Sequence, residues 1–333
     1  MFNYVILGSE DEIYKYAFND LNGLDNVIYV SGCKPSKCTL KGFLYRTHFR
    51  PELNEKIRIP GKSIWNHFYF KDTLSKNNKY CFIFLSNFAM FAKQSRYHQY
   101  LRRKYPDCKI VLFLTDIFAR QTELFTHEKW KIEKERALYD LIISYDKSDC
   151  QKYGFTYHHT VFSSNFILPN LNVEESDVYF VAKYKGRLQR VIELYDLLSS
   201  FGLRCDFYIY KCPSDMKVER PGISYIEKPI SYAENLVRTI KTKFLLEIMQ
   251  NNADGYTYRT WEAIAFKKKL ITNNKSIIDA PFYNPKLIYV VNDYCNLKDG
   301  IAAFIQDNNT VDFNYTKEMS PVALLEFIDS KFR

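Results

Sequence analysis

Two carboxylates, Asp254 and Glu262, bracket Gly255-Tyr-Thr-Tyr-Arg-Thr-Trp261, and the residue types between them suit the binding of a phosphorylated ligand. Thr257 is the type of residue that caps a helix, here one running from Tyr258 to about Lys267. Arg259 and Thr260 then fall on its first turn, and Glu262 lies about one turn inside. Free N–H groups and the helix dipole at such a start attract pyrophosphate, and a carboxylate there can accept both hydroxyls of a ribose. A plainer reading stands beside it, in which Glu262 favours the helix dipole and Arg259 pairs with a neighbouring acid. An apolar run, Phe244-Leu-Leu-Glu-Ile-Met249, precedes the motif and Leu270-Ile-Thr-Asn-Asn274 follows, which makes a unit of strand, polar loop, helix and strand.

A second cluster is basic. In Asp177-Val-Tyr-Phe-Val-Ala-Lys-Tyr-Lys-Gly-Arg-Leu188 a strand ends near Ala182, and Lys183, Lys185 and Arg187 crowd the turn around Gly186. Glycine lets the backbone approach a ligand closely, and the cations suit a diphosphate; a solvated loop would use the same residues. For acid–base chemistry the candidate is Asp116, at the end of the apolar run Lys109-Ile-Val-Leu-Phe-Leu114. Capping of the next segment is its alternative role. Glu10 and Asp11 are rivals, better suited to opening a helix. His98, His158 and His159 show no metal-ligand spacing, and no metal is assigned. Lys93, Arg96, His98, Arg102, Arg103 and Lys104 share a helical stretch, Phe88–Lys104, with Phe88, Phe91, Tyr97, Tyr100 and Leu101. That stretch could lie on an anionic leaflet or form a solvated basic face over a buried stripe.

These residues need elements to hold them. In the first half, strands are expected at Tyr4–Leu7, Asn26–Val30, Tyr80–Leu85, Lys109–Leu114 and Leu141–Ser144, with helices at Asp11–Leu21, Phe88–Lys104 and His127–Leu138. Residues 31–79 read as irregular. The Pro-containing polar stretch Ser163–Ser176 reads as a linker, after which the alternation restarts with Val178–Ala182, Leu188–Phe201, Cys205–Tyr210 and Tyr232–Thr242. The expected architecture is α/β, with two Rossmann-like domains facing each other across a cleft. Residues 1–165 would form the acceptor-binding domain and 166–333 the donor-binding domain, the last helix packing back on the first.

The totals agree with this division, since 333 residues exceed what one core usually holds, and 47% hydrophobic residues can fill two. A formal charge of +9 favours acidic partners such as phosphorylated substrates, anionic lipid headgroups or nucleic acid, and charge alone does not choose among them. The first residues read as a strand and not a signal peptide, and no apolar run approaches the roughly 20 residues of a membrane span, so a cytoplasmic protein is expected. Eight scattered cysteines without a Cys-x-x-Cys pair point to reduced, mostly buried thiols.

The second half resembles the donor-binding domain of GT-B fold glycosyltransferases, most of all those that assemble bacterial capsular and surface polysaccharides. The resemblance covers about 150 residues and rests on the basic turn Val178–Arg187, on Phe244–Met249, and on Asp254-x7-Glu262 with the following Ala-Ile-Ala-Phe-Lys-Lys-Lys-Leu-Ile-Thr-Asn. It implies that Glu262 holds the donor's ribose, that Gly255, Tyr256 and Thr257 approach the diphosphate or sugar, and that Lys185 and Arg187 neutralise the leaving diphosphate. Asp254 stands where the family has a first Glu, which leaves retention or inversion open. A lysine run, Lys267–Lys269, replaces the usual glycine of the helix-to-strand turn. The implied protein is a nucleotide-sugar-dependent hexosyltransferase with no cofactor and no required metal. Its partners would be a nucleotide-diphosphate sugar and a glycan or lipid-linked glycan acceptor, with a peripheral place on the inner membrane face and no nucleic acid partner. Alternatives are a nucleotide-sugar 2-epimerase on the same fold and a non-catalytic module that binds polyanions or membrane.

Overall fold

The computed structural model describes residues 2–8, 11–31, 39–49, 74–86, 96–118, 136–249, 255–292 and 297–333. Within it the chain divides into two compact units. The first comprises Met1–Lys15, Leu21–His158 and Leu325–Arg333, and the second Tyr16–Asp20 and His159–Leu324.

The first unit is built on a parallel six-stranded sheet. Its strands are β1 (Asn3–Gly8), β2 (Val27–Ser31), β3 (Tyr80–Leu85), β4 (Lys109–Leu114), β5 (Leu141–Ser144) and β6 (Thr156–Tyr157), in the order β2-β1-β3-β4-β5-β6. Helices α1 (Glu12–Ala17), α2 (Leu40–Phe49), α3 (Tyr97–Lys104) and α4 (Lys147–Tyr153) belong to the same unit or its edge. All six residues of Tyr80-Cys-Phe-Ile-Phe-Leu85 are buried, because a strand inside a parallel sheet is covered on both faces and so reads as a continuous apolar run. Tyr97 and Leu101 of α3 pack on Phe82, Phe84 and Leu112 in the core. The α9 helix (Pro321–Phe332) contributes its last turns here, with the Tyr4 hydroxyl donating to Leu325 O at 3.1 Å.

The second unit holds another parallel sheet: β7 (Val178–Lys183), β8 (Cys205–Tyr210), β9 (Ile223–Ile226), β10 (Phe244–Glu247), β11 (Lys269–Thr272) and β12 (Ile288–Val290). Its order is β12-β11-β10-β7-β8-β9. Three further helices, α5 (Leu188–Ser200), α6 (Tyr232–Ile240) and α7 (Tyr258–Ala265), alternate with these strands, and α8 (Lys298–Gln306) follows β12. From β7 the chain steps outward to β8 and β9, then returns to the other side of β7 for β10. That reversal makes the β7/β10 pair the topological switch point, where open α/β sheets bind ligands beyond the carboxyl ends of their strands.

The Ser163–Ser176 stretch has no regular structure, yet it is held within the second unit. Asp20 N donates to Ser163 Oγ at 2.8 Å, and Ser163 Oγ donates to Ala17 O at 3.0 Å. Among the described residues no helix is long and apolar enough to cross a membrane. Cys81, Cys108, Cys150, Cys205 and Cys212 are free thiols; Cys33, Cys38 and Cys295 lie outside the described residues.

Candidate functional site

At the carboxyl ends of β7 and β10 the basic turn and the helix motif come together. Lys185 (φ 40°) and Gly186 (φ 71°) take successive left-handed conformations, and Arg187 N closes the turn on Tyr184 O at 3.1 Å. A two-residue turn of this kind needs positive φ at both centres, which glycine tolerates at no steric cost. The turn leaves Lys183 and Lys185 exposed. Arg187 is half-buried and differs from its expected role. Its Nε and Nη2 donate to Lys183 O at 3.3 and 3.1 Å, and its Nη1 donates to Ile248 O. One guanidinium thus ties the end of β7 to the end of β10. Burial pushes it down to about 10, opposed by the charge of Glu247, so it stays cationic at neutral pH.

The α7 helix begins as expected: Thr257 is its N-cap, its side chain accepting from Arg259 N at 3.1 Å. Gly255 precedes it at φ 126°, a conformation reserved for glycine. Glu262, however, is turned inward. It is 2% exposed; Oε1 accepts from the Tyr232 hydroxyl at 2.7 Å and from Asn235 Nδ2 at 2.9 Å. Oε2 faces Arg259 Nη1 at 2.8 Å, a buried ion pair whose angle makes no hydrogen bond. Arg259 is completed by Asn235 Oδ1 at 3.3 Å and by the Tyr179 ring, 5.2 Å from its guanidinium carbon. Burial, and then Glu262, push the Tyr232 hydroxyl well above its ordinary range, which keeps it a donor. The expected pairing of Glu262 with ribose hydroxyls therefore meets a carboxylate already enclosed, and a sugar would reach it only if this cage opened.

A second buried acid went unnoticed in the sequence. Glu247, the last residue of β10 and 4% exposed, accepts the hydroxyls of three threonines: Thr257 and Thr260 on Oε1, and Thr272 on Oε2. Burial pushes its carboxyl up, and the three hydroxyls pull it back. Its signal was an acid within the otherwise apolar Phe244–Met249, since a charge is left inside a parallel sheet only with dedicated donors. Thr260, expected at the ligand, is fully buried on this carboxylate. Tyr256 is buried as well, its ring edge-on to Trp261 and Phe282 at 5.6 and 5.0 Å.

Asp254 and Glu10 lie outside the described residues. Asp116 is exposed just beyond β4, and its Oδ1 accepts from the N–H of the next residue, Ile117, at 2.9 Å. His98 is buried between Phe84 and Tyr139, and His158 lies against Phe327. His159 lies against Trp261, and its Nδ1 is 2.8 Å from Thr160 O. In the basic stretch, the described helix starts at Tyr97; Arg103 is exposed, whereas Arg102 pairs with Asp140 at 3.1 Å. Residues 87–95, with Lys93, lie outside the described residues.

No family model matches the sequence, and no curated protein matches it. Solved structures do match by shape. A UDP-forming α,α-trehalose-phosphate synthase from Burkholderia xenovorans superposes with a TM-score of 0.55 at 12% identity, over 96% of this chain and 94% of that one. A protein assigned as a UDP-N-acetylglucosamine 2-epimerase from Listeria monocytogenes reaches 0.54 at 9% identity, over 100% and 97%. The α,α-trehalose 6-phosphate synthase of Burkholderia multivorans reaches 0.51 at 11%, over 99% and 98%. The fold is GT-B-like. At these identities the likeness is one of architecture, and the chemistry must be argued from the residues.

Proposed function

We propose that the chain is a glycosyltransferase that uses a nucleotide-diphosphate sugar and acts without a required metal. One observation carries the reading: Arg187 binds the basic turn after β7 to the carboxyl end of β10, next to the start of α7. Two exposed lysines and a capped helix start are therefore assembled at the switch point of the second sheet. Lys183 and Lys185, with the Gly255 and Thr257 main-chain N–H groups, would hold the donor diphosphate and stabilise it as it leaves. Arg187, Arg259, Thr260 and Glu262 build the site from behind, and Tyr256 fixes the turn by its packing. Asp254 is proposed near the sugar, and Asp116 as the base toward the acceptor. The acceptor class that the sequence resemblance favours is a lipid-linked glycan of bacterial surface polysaccharide. The charge of +9 supports a peripheral place on an anionic membrane face.

A thermal-shift panel of UDP, GDP, CMP and TDP in EDTA tests the donor site. One nucleoside diphosphate should raise Tm, by mass action on the native state. Equal response to all four, with steeply salt-dependent binding to polyanions, would replace the enzyme by a binding module. Turnover abolished by EDTA and restored by manganese would overturn metal independence. The likeness to the Listeria protein motivates a second reading, epimerisation. NMR of a nucleotide sugar incubated without acceptor separates the two, since only an epimerase converts it to a new nucleotide sugar.

A further inference from the structure

The turn that opens α7 is enclosed by a ring of hydrogen bonds with Glu247 as its hub. The carboxylate accepts from Thr257 Oγ1 on one side and Thr272 Oγ1 on the other. Each threonine, having given its proton to the acid, turns its lone pairs to a main-chain N–H: Thr257 to Arg259 N at 3.1 Å, and Thr272 to Asn274 N at 3.0 Å. Asn274 then reaches back with Nδ2 to Gly255 O at 2.9 Å, two residues before Thr257, and the ring closes. Asn273 braces its outer side, Oδ1 accepting from Met249 N at 2.6 Å, while the Tyr256 carbonyl accepts from Thr160 Oγ1 at 3.3 Å.

Directionality makes the carboxylate matter. A hydroxyl offers one proton, so a threonine that accepts from the backbone is oriented only if a strong acceptor takes that proton, and an ionised acid is the strongest available. Linked bonds of this kind also polarise one another in a low-dielectric interior. The carbonyls of Gly255 and Tyr256 are held, whereas the N–H groups of Gly255 and Thr257 have no partner among the described residues. The ring therefore fixes these two acceptors and leaves the Gly255 and Thr257 donors open.

We infer that Glu247 is a positioning residue for the donor site, acting through Thr257 and Thr272 to hold the Gly255–Thr257 turn with the Gly255 and Thr257 N–H groups ready for a nucleotide diphosphate. The inference rests on the donor reading above. It also places the determinant of donor affinity partly on β11, because Thr272 is fully buried and linked to the turn through Glu247 and Asn274.

The test uses the full-length protein and whichever nucleoside diphosphate stabilises the wild type, with Kd measured by calorimetry well below Tm. Thr272→Val keeps the shape and removes the hydroxyl; Thr272→Ser keeps the hydroxyl. We expect Thr272→Val and Glu247→Gln to weaken the nucleotide about tenfold, about the size of one lost hydrogen bond to a charged group at the low end of its range. Thr272→Ser should stay within about twofold of the wild type. Hydrogen exchange at residues 255–260 without ligand should be faster in Thr272→Val and restored in Thr272→Ser. A folded Thr272→Val with wild-type Kd and wild-type exchange would overturn the inference while leaving the donor site standing. A wild type that binds none of the nucleotides would remove the donor reading and the inference with it. Should Glu247→Gln fail to fold, the Val and Ser pair decides alone.

Discussion

Removing the Glu262 carboxylate would strand three donors inside the second unit: the Tyr232 hydroxyl, the Asn235 amide and the Arg259 guanidinium. Breaking a buried pair by deleting one partner costs about 3–5 kcal/mol, because the remaining charge is left without compensation. Glu262→Ala should therefore lower the unfolding free energy by about that amount in urea titrations. A loss below about 1 kcal/mol would mean that the carboxylate is solvated and open to a ligand in solution. The sequence placed this acid one turn inside a helix capped by Thr257, and the plainer reading of Arg259 paired with a neighbouring acid is the arrangement observed, whereas its other partners were not visible. Helical spacing gives the face a side chain occupies but not what packs on it, and Tyr232 and Asn235 arrive from α6, about 30 residues upstream. Glu247 escaped for the related reason that its three threonine partners lie 10, 13 and 25 positions away.

At the scale of elements, the lysine run after α7 shows how one turn can be built without glycine. Lys267 takes the left-handed position at φ 52°, with Lys267 N on Ile264 O at 3.3 Å and Lys268 N on Ala263 O at 2.8 Å. This is a Schellman motif with lysine where glycine is the usual choice. Its next two side chains finish other helices: Lys268 Nζ donates to Ile240 O at 2.7 Å at the end of α6, and the buried Lys269 Nζ donates to Phe304 O at 3.2 Å in α8. Lys267→Gly relieves the left-handed strain and sacrifices only an exposed contact with Asp312, so it should stabilise the protein by about 0.5–1 kcal/mol. Differential scanning calorimetry will check it; a lowered Tm would mean that the lysine side chain contributes more than its backbone costs. Strands β3, β4, β5 and β8 were legible to the residue, each a strongly apolar or aromatic run. The edge strands β9 and β12, of four and three residues, were not read, since so few positions cannot establish a period.

For the molecule as a whole, acid sensitivity should begin well above the carboxylate range. His98, 2% exposed among aromatic rings, has no partner for Nε2 among the described residues, and burial, aided by Arg102, pushes it down to about 3. Its value is 6.5 when unperturbed, so the unfolded chain binds the proton first. Stability is therefore full above about pH 6.5 and declines as pH falls from there toward 3. Asp177, held below its ordinary value of 3.8 despite desolvation by the amine of Lys243 and the main chain of Arg204, acts only at the bottom of that window. Urea midpoints at several pH values should show a shallower acid limb in His98→Leu than in the wild type; identical limbs would mean that His98 is not the titrating group. The alternating strand and helix pattern gave both sheets away in the sequence. The division of the chain was less visible, because Tyr16–Asp20 joins the second unit, an exchange that no local composition signals. The helix-ending lysines carry one more consequence. A formal charge counts every cation alike, yet Arg187, Lys268 and Lys269 already bind main-chain carbonyls, and Lys269 also lies 3.5 Å from Asp307. Fewer counterions than +9 suggests stand ready for release to an incoming anion, so a salt titration of ligand binding should report the handful of solvent-facing cations around Lys183 and Lys185 and not the sum over the chain.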